Sequence, residues 1–147
     1  MQVQRLGHVV FYVRSMARSV AFYRDLLGFQ EVAQGWDGRA TALTGGSTHH
    51  EMLLIEVGDA PGPPSGRRIG LYHIGIKIGD TLEELKTAKT ELESASVPIE
   101  GASDHAVSKS LYVRDPDGNE VELYVDDPSV DWRADPERVM HVGPLRL

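Results

Sequence analysis

Two histidines and one glutamate in this chain have the types and the spacing of a metal-binding set. His8 and His73 each stand third in a Leu-x-His pattern that opens an apolar stretch, and their positions differ by 73 − 8 = 65 residues. Glu122 lies between apolar neighbours in another such stretch. Two imidazoles and one carboxylate, without sulfur, suit Fe(II), Mn(II), Ni(II) or Zn(II), whereas Ca(II) prefers oxygen ligands. We therefore predict that His8, His73 and Glu122 bind one metal ion.

An internal repeat predicts the elements that would position these side chains. L-G-H-V-V-F-Y-V begins at Leu6 and L-Y-H-I-G-I-K-I begins at Leu71, and a stretch with helical apolar spacing follows each of them. Three short strand candidates then follow in each half, near 29–34, 38–43 and 50–57 and again near 97–100, 107–114 and 119–125. The pattern predicts an α+β fold, in which two βαβββ modules form one eight-stranded curved, mixed sheet with the helices on the outside.

The repeat also predicts how the chain is divided. We expect a domain over 1–127, with module 1 at about 4–58 and module 2 at about 69–127. The segment 128–147 carries several prolines and one tryptophan, so we expect an irregular tail that covers the domain or a partner subunit. Because the sheets of such modules are half open, we also expect a homodimer.

Alternation along the strands predicts which side chains share a face. Successive residues of a strand point to opposite faces, so Val121, Leu123 and Val125 lie together and should contact a helix. By the same count we expect a concave face that carries five polar side chains: His8, His50, Glu56, His73 and Glu122. An unpaired carboxylate in the hollow of a sheet is costly to desolvate, and a divalent cation would remove that cost.

Composition excludes several classes of function. The 147 residues include no cysteine, which rules out disulfides and thiolate metal sites and fits a cytoplasmic protein. The formal net charge of −7 is unfavourable for nucleic-acid binding. No apolar run approaches the roughly 20 residues that span a bilayer, and the N-terminus lacks a signal-peptide pattern. We therefore expect a partner that is neither nucleic acid nor membrane.

Several motifs resemble one family. The strings H-V-V-F-Y-V…A-F-Y-R-D-L-L-G-F and Y-V-R-D-P-D-G-N-E-V-E-L-Y are similar to the vicinal oxygen chelate superfamily, which includes glyoxalase I, extradiol dioxygenases and bleomycin resistance proteins. The similarity covers about residues 4–127. T-H-H-E-M-L-L-I and S-D-H-A-V-S-K-S-L-Y-V resemble more narrowly the single-domain extradiol dioxygenases of the catechol 2,3-dioxygenase type.

The resemblance implies a function and roles for further residues. It implies an oxidoreductase of aromatic-compound catabolism that cleaves a small aromatic diol with dioxygen, with Fe(II) held by the predicted metal ligands. His50 matches the acid–base histidine of the family, and Tyr112, ten residues before Glu122, matches a tyrosine that contacts the diol. His105 matches a substrate-side histidine, at a spacing from Tyr112 about two residues from the family pattern.

Two alternatives remain open at this point. Glu56 precedes Glu122 by 122 − 56 = 66 residues, which echoes the repeat, and it resembles the fourth ligand of glyoxalase I. Four ligands would favour a Ni(II) or Zn(II) lyase or isomerase that works by Lewis-acid chemistry. The second alternative is a non-enzymatic, drug-binding resistance protein of the same fold, although such proteins lack the metal ligands that this chain carries.

Overall fold

The computed structural model describes all 147 residues, which form two compact units, Met1–Pro64 and Ser65–Leu147. Each unit contains one βαβββ module. The predicted α+β class and the two predicted modules are therefore confirmed. None of the helices has the length and apolar character needed to cross a membrane.

The first unit consists of a four-stranded sheet and one short helix. Its strands are β1 (Val9–Val13), β2 (Gln30–Gly35), β3 (Ala40–Thr44) and β4 (Met52–Glu56). Helix α1 (Met16–Val20) continues as a π-helical turn over Ala21–Leu26. The strand order is β1-β4-β3-β2, so the first and last strands of the module are neighbours, and they are parallel.

The register between β1 and β4 defines the helix-covered face of the first unit. Phe11 pairs with Leu54, and Val9 pairs with Met52. Phe11, Met52 and Leu54 are all buried, with exposures of 7%, 1% and 0%, whereas Tyr12 on the opposite face is 72% exposed. The core of this unit therefore lies between this face and the helical segment that carries Val20, Phe22 and Tyr23.

The second unit repeats the arrangement with a longer helix. Its strands are β5 (His73–Gly79), β6 (Gly101–Asp104), β7 (Ser108–Arg114) and β8 (Glu120–Asp126), and helix α2 spans Leu82–Ser94. Thr81 caps α2 in a reciprocal capping box with Glu84, as the sequence pattern indicates. Along β8, Val121, Leu123 and Val125 are buried, and the glutamates alternate with them on the other face.

The eight strands of the two modules are divided between two hydrogen-bonded sheets. The sheets have four and five strands, in the orders β1-β4-β3-β2 and β5-β8-β7-β6-β9, where the ninth strand, β9 (Gly143–Pro144), comes from the tail. In each module the first strand pairs in parallel with the last and is an edge strand of its sheet. The strand expected at 97–100 lies at Gly101–Asp104 instead, because Pro98 has no N–H to donate to a ladder.

The tail contains more regular structure than the expected irregular segment. A 3₁₀ turn spans Pro136–Met140, and a two-residue strand, β9 (Gly143–Pro144), pairs antiparallel with β6. Without β9, β6 would be the edge of the second sheet and would leave backbone donors and acceptors unpaired. The end of the chain covers that edge.

Candidate metal centre

In the second unit, β5 and β8 bring His73 and Glu122 into contact. The parallel register pairs His73 with Glu120 and Gly75 with Glu122. The Nε2 atom of His73 lies 3.1 Å from Oε2 of Glu122. Gly75 leaves this space open, because a Cβ atom on it would lie 3.6 Å from Oε2 of Glu122 and 3.4 Å from the Tyr124 ring.

The other ring nitrogen of His73 contacts Glu120. Nδ1 lies 3.3 Å from Oε1 of Glu120, whose side chain is 10% exposed. The same carboxylate is 3.3 Å from Nη2 of Arg114, and its hydrogen bond with Tyr72 is the main reason that the pKa of Tyr72 is raised. Because a carboxylate only accepts hydrogen bonds, Nδ1 of His73 carries a hydrogen in any form of the ring in which this contact is a hydrogen bond. Glu120 thus orients the imidazole.

This orientation leaves the Nε2 lone pair of neutral His73 facing the Glu122 carboxylate. Two acceptors at 3.1 Å require a proton or a metal cation between them. Imidazole nitrogen and carboxylate oxygen are both preferred ligands of divalent transition metals. The arrangement, a metal-facing nitrogen with a carboxylate behind the other nitrogen, is the usual support for a metal-binding histidine. The pair therefore fits a divalent metal ion.

Tyr112 and His105 lie beside this pair. The antiparallel register of β7 and β8 pairs Tyr112 with Glu122, and the Tyr112 hydroxyl lies 3.2 Å from Oε1 of Glu122. Nε2 of His105 lies 2.7 Å from the same hydroxyl. Burial, followed by the charge of Glu122, raises the pKa of Tyr112 to about 12. The Tyr112 hydroxyl therefore keeps its hydrogen at neutral pH.

His73, His105 and Tyr112 open onto one cleft of the second unit. The cleft has a volume of about 480 Å³, within the range of small-molecule sites. It is lined by aromatic, imidazole and carboxylate side chains, among them Tyr72, His73, His105, Tyr112 and Glu120.

In the first unit, His8 and His50 are in contact with each other. Their ring centroids lie 4.6 Å apart, and Nδ1 of His50 lies 2.6 Å from Nδ1 of His49. Burial, followed by the charges of His49 and His8, lowers the pKa of His50. The lowered pKa favours neutral His50, which carries one ring nitrogen without hydrogen, the form that a proton acceptor requires.

Glu56 lies on the face opposite to the one expected. It pairs with Val13 in the β1–β4 register and shares the helix-covered face with Met52 and Leu54. Its Oε2 accepts a 2.6 Å hydrogen bond from the backbone N–H of Met16, at the start of α1. The expectation that Glu56 lies on the concave face was wrong, because both faces of β4 are apolar and hydrophobicity alone does not distinguish them.

The strand registers identify a different residue as the counterpart of Glu122. In the second unit, the residue two positions after His73 is Gly75, which pairs with Glu122. In the first unit, the residue two positions after His8 is Val10, which pairs with Leu53. The repeat therefore carries a carboxylate at this position in one module and an apolar side chain in the other.

The three predicted ligands are contributed by both units. His73 and Glu122 belong to the second unit, and His8 belongs to the first. Neither unit by itself brings three or more His, Cys, Asp or Glu side chains into an arrangement that could hold a metal ion. The second unit alone brings together four of the predicted site residues: His73, His105, Tyr112 and Glu122.

Two groups that contact the site histidines were absent from the sequence interpretation. Glu120 had a detectable signal, because alternation places it on the same face as Glu122. Its pairing with His73 depends on strand register, which alternation does not supply. The backbone carbonyl of His141, which contacts His105, had no signal in the sequence, since it depends on the path of the tail.

Comparison with known proteins identifies the family. The model of the Glyoxalase/Bleomycin resistance protein/Dioxygenase superfamily matches residues 5–123, and the chain belongs to this superfamily. The chain is 36% identical to a catechol-2,3-dioxygenase of Bacillus subtilis over 132 residues, covering 90% of the chain and 45% of that protein. It is 30% identical to a biphenyl-2,3-diol 1,2-dioxygenase of Rhodococcus globerulus, covering 83% of the chain and 63% of that protein.

A solved structure of another activity is also similar. The crystal structure of a lactoylglutathione lyase from Agrobacterium tumefaciens matches with a TM-score of 0.63 and 26% identity, covering 85% of this chain and 96% of that one. The chain spans only about half to two thirds of the length of the two dioxygenases, with shares of 45% and 63%. The chain is therefore similar both to proteins named as dioxygenases and to a protein named as a lyase.

Proposed function

We propose that this protein is an Fe(II)-dependent, extradiol-type dioxygenase that cleaves a catecholic or related aromatic diol with dioxygen. The observation that carries the proposal is the contact of His73 with Glu122, next to a cleft that His73, Tyr112 and His105 line. Two relatives are named as dioxygenases of aromatic diols. The cleft offers the ligand types for the metal and the hydrogen-bond partners for the diol.

We propose that His8, His73 and Glu122 hold the metal. Two imidazoles and one carboxylate leave coordination positions for both diol oxygens and for dioxygen. Fe(II), or Mn(II) in its place, would supply the site at which the diol and dioxygen bind side by side. Ni(II) or Zn(II) can bind to the same ligands, but neither metal would support cleavage of a diol with dioxygen.

The neighbouring side chains would bind and orient the diol. The Tyr112 hydroxyl stays protonated, because the pKa of Tyr112 is raised to about 12, so it can donate a hydrogen bond to a diol oxygen. His105, in contact with that hydroxyl, can accept or donate at the same oxygen. We assign to His50 the role of proton acceptor for the second hydroxyl, because its lowered pKa keeps the imidazole neutral.

A glyoxalase-type lyase with four ligands is the second candidate, supported by the lyase of the same fold. It would need a fourth ligand on β4. Glu56 is bonded to the start of α1, and Leu53 occupies the position that corresponds to Glu122. The three-ligand interpretation therefore agrees better with the side chains of β4.

Metal binding and catechol turnover test the proposal. Protein purified without air should take up about one equivalent of Fe(II) and should convert catechol or 2,3-dihydroxybiphenyl to a coloured ring-cleaved product in air. Glu122→Ala and His73→Ala should each weaken Fe(II) binding at least tenfold, in line with the loss of a direct ligand. The matched control is Glu91→Ala on the exposed side of α2, which should change neither quantity.

Two results would contradict the proposal. One is Fe(II) uptake by Glu122→Ala at the parent affinity. The other is a pair of findings on separately loaded samples. The Fe(II)-loaded protein consumes no dioxygen with the catechols tested, and the Ni(II)- or Zn(II)-loaded protein isomerises a thiohemiacetal.

A further inference from the structure

The end of the chain forms part of the cleft that carries the predicted site. β9 pairs with β6 through Asp104 with Gly143 and Ser103 with Pro144. His105 directly follows β6, and Val142 directly precedes β9. Val142 and His105 both line the cleft. The tail therefore contributes Val142 to the lining of this cavity.

The tail also holds the ring of His105. Nδ1 of His105 lies 3.1 Å from the backbone carbonyl oxygen of His141. Because a carbonyl oxygen only accepts hydrogen bonds, Nδ1 must carry the hydrogen. The other ring nitrogen, Nε2, lies 2.7 Å from the Tyr112 hydroxyl and 3.6 Å from Oε1 of Glu122. The contact with the tail thus fixes a hydrogen on Nδ1 of His105 and directs Nε2 towards the Tyr112 hydroxyl.

The turn around His105 fixes its backbone independently of the tail. The N–H of His105 donates to the carbonyl of Ser108 at 2.8 Å, and the N–H of Ala106 donates to Oδ1 of Asp104 at 2.7 Å. Ala106 has a φ of 63°, in the left-handed region. On the Nδ1 side, the ring itself is held by the carbonyl of His141. Loss of the tail contact should therefore release the ring without unfolding the turn.

We propose that the segment His141–Pro144 is a positioning element for His105, which sets the ring form and the direction of its Nε2 towards the diol. The catalytic part of this inference rests on the proposed dioxygenase function. Its structural part is that the tail determines the ring form of His105. This part rests on the contacts of His105 with His141 and Tyr112, and it can be measured without substrate.

The test uses the full chain with one substitution in β9. Pro144 has no N–H, so Gly143 carries the only backbone donor of β9, and Gly143→Pro removes that donor. Long-range ¹H–¹⁵N NMR of the metal-free protein at about pH 8 distinguishes the two neutral imidazole forms. The parent should show His105 with hydrogen on Nδ1, and Gly143→Pro should show a shift towards hydrogen on Nε2.

Two further variants sharpen the comparison. His141→Ala keeps the backbone carbonyl and should retain the parent ring form of His105. Arg146→Ala, beyond β9, is the matched control for a change in the tail and should alter neither the ring form nor turnover. If Gly143→Pro does not fold, a chain that ends at Met140 removes the same carbonyl and replaces it in the test.

Activity measurements connect the ring form to the reaction. In Gly143→Pro we expect about a tenfold or greater fall in kcat/KM for catechol, at unchanged Fe(II) affinity. The inference is overturned if hydrogen exchange shows that β9 is lost while the ring form of His105 and kcat/KM stay at parent values. If the ring form responds but the parent protein turns over no catechol, the proposed function fails and the structural inference stands.

Discussion

Glu120 and Glu122 lie two residues apart on β8, and both carboxylates contact the ring of His73. Their surroundings differ. The Glu120 carboxylate is paired with the Arg114 guanidinium and accepts a hydrogen bond from Tyr72, whereas Glu122 accepts a hydrogen bond from Tyr112 and has no cationic Lys or Arg partner of this kind. A carboxylate that is already paired with a guanidinium is a poor competitor for a metal ion, so we assign binding to Glu122 and orientation to Glu120.

This assignment predicts different effects of two substitutions at Glu120. Glu120→Ala removes the acceptor for Nδ1 of His73 and should weaken Fe(II) binding about 10- to 100-fold, the usual effect of losing a residue that orients a metal ligand. Glu120→Gln keeps an acceptor oxygen and should recover most of the affinity. Competition with a fluorescent chelator measures both constants. Equal and complete loss of binding in the two variants would mean that Glu120 is itself a ligand.

The sequence predicted the residue types of the centre better than their contacts. His73, His105, Tyr112 and Glu122 were chosen from spacing and resemblance, and the structure brings these four together. The groups that position these side chains are Glu120 and the carbonyl of His141. Their contacts depend on strand register and on the path of the tail, and neither can be predicted from a local pattern in one sequence. The participation of His8 stays a prediction, because His8 belongs to the other unit.

At the scale of elements, the start of α1 explains the position of Glu56. Ser15 is at the N-cap but makes no side-chain hydrogen bond to the helix, and Glu56 from β4 accepts from Met16 instead. A carboxylate at a helix N-terminus is favourable, both as a hydrogen-bond acceptor and because of the helix dipole. Glu56 therefore joins α1 to the sheet of the first unit.

We predict a loss of stability without loss of metal when Glu56 is changed. Glu56→Ala should lower the free energy of unfolding by about 1 kcal/mol, the typical effect of losing a helix cap. Glu56→Gln, which keeps an acceptor, should lower it by less. Urea unfolding and Fe(II) titration of the same samples give both quantities. A fall in metal affinity with unchanged stability would contradict this prediction and would support Glu56 as a fourth metal ligand.

The elements themselves were largely readable from the sequence. The capping box of α2 and the buried alternation of β8 follow directly from local pattern, and both are present. Two elements differed for identifiable reasons. The strand near 97–100 was displaced by Pro98, and β9 forms from Gly143 and Pro144, which carry no strand signal. Backbone pairing with the otherwise open edge of β6 stabilises β9, although its own sequence does not favour a strand.

At the scale of the whole molecule, carboxylates with lowered pKa values occur in both units. In the first unit, hydrogen bonds from Ser47, Gly45 and Thr44 lower the pKa of Glu51 to about 2, although burial acts in the opposite direction. In the second, a hydrogen bond from the Thr81 hydroxyl is the main cause of a lowered pKa at Glu84. Each carboxylate is more easily ionised in the folded chain than in the unfolded chain.

The lowered pKa of Glu51 makes the stability of the folded chain depend on pH, because folding is coupled to proton binding. A group with a lowered folded-state pKa contributes stability above its unfolded pKa, 4.5 for Glu51, and loses that contribution as the pH falls towards about 2. We therefore expect Tm to fall steadily between these two pH values. Glu51→Gln should have a lower Tm than the parent at neutral pH and a shallower decline in acid. Parallel Tm curves for the two proteins would contradict this.

The place of β9 has a practical consequence for anyone who produces this protein. Leu147 lies 147 − 144 = 3 residues beyond the strand that closes the second sheet. An affinity tag or fluorescent protein joined directly after Leu147 would therefore lie close to the segment whose carbonyl contacts His105. We recommend a cleavable tag placed before Met1 for measurements on the cleft.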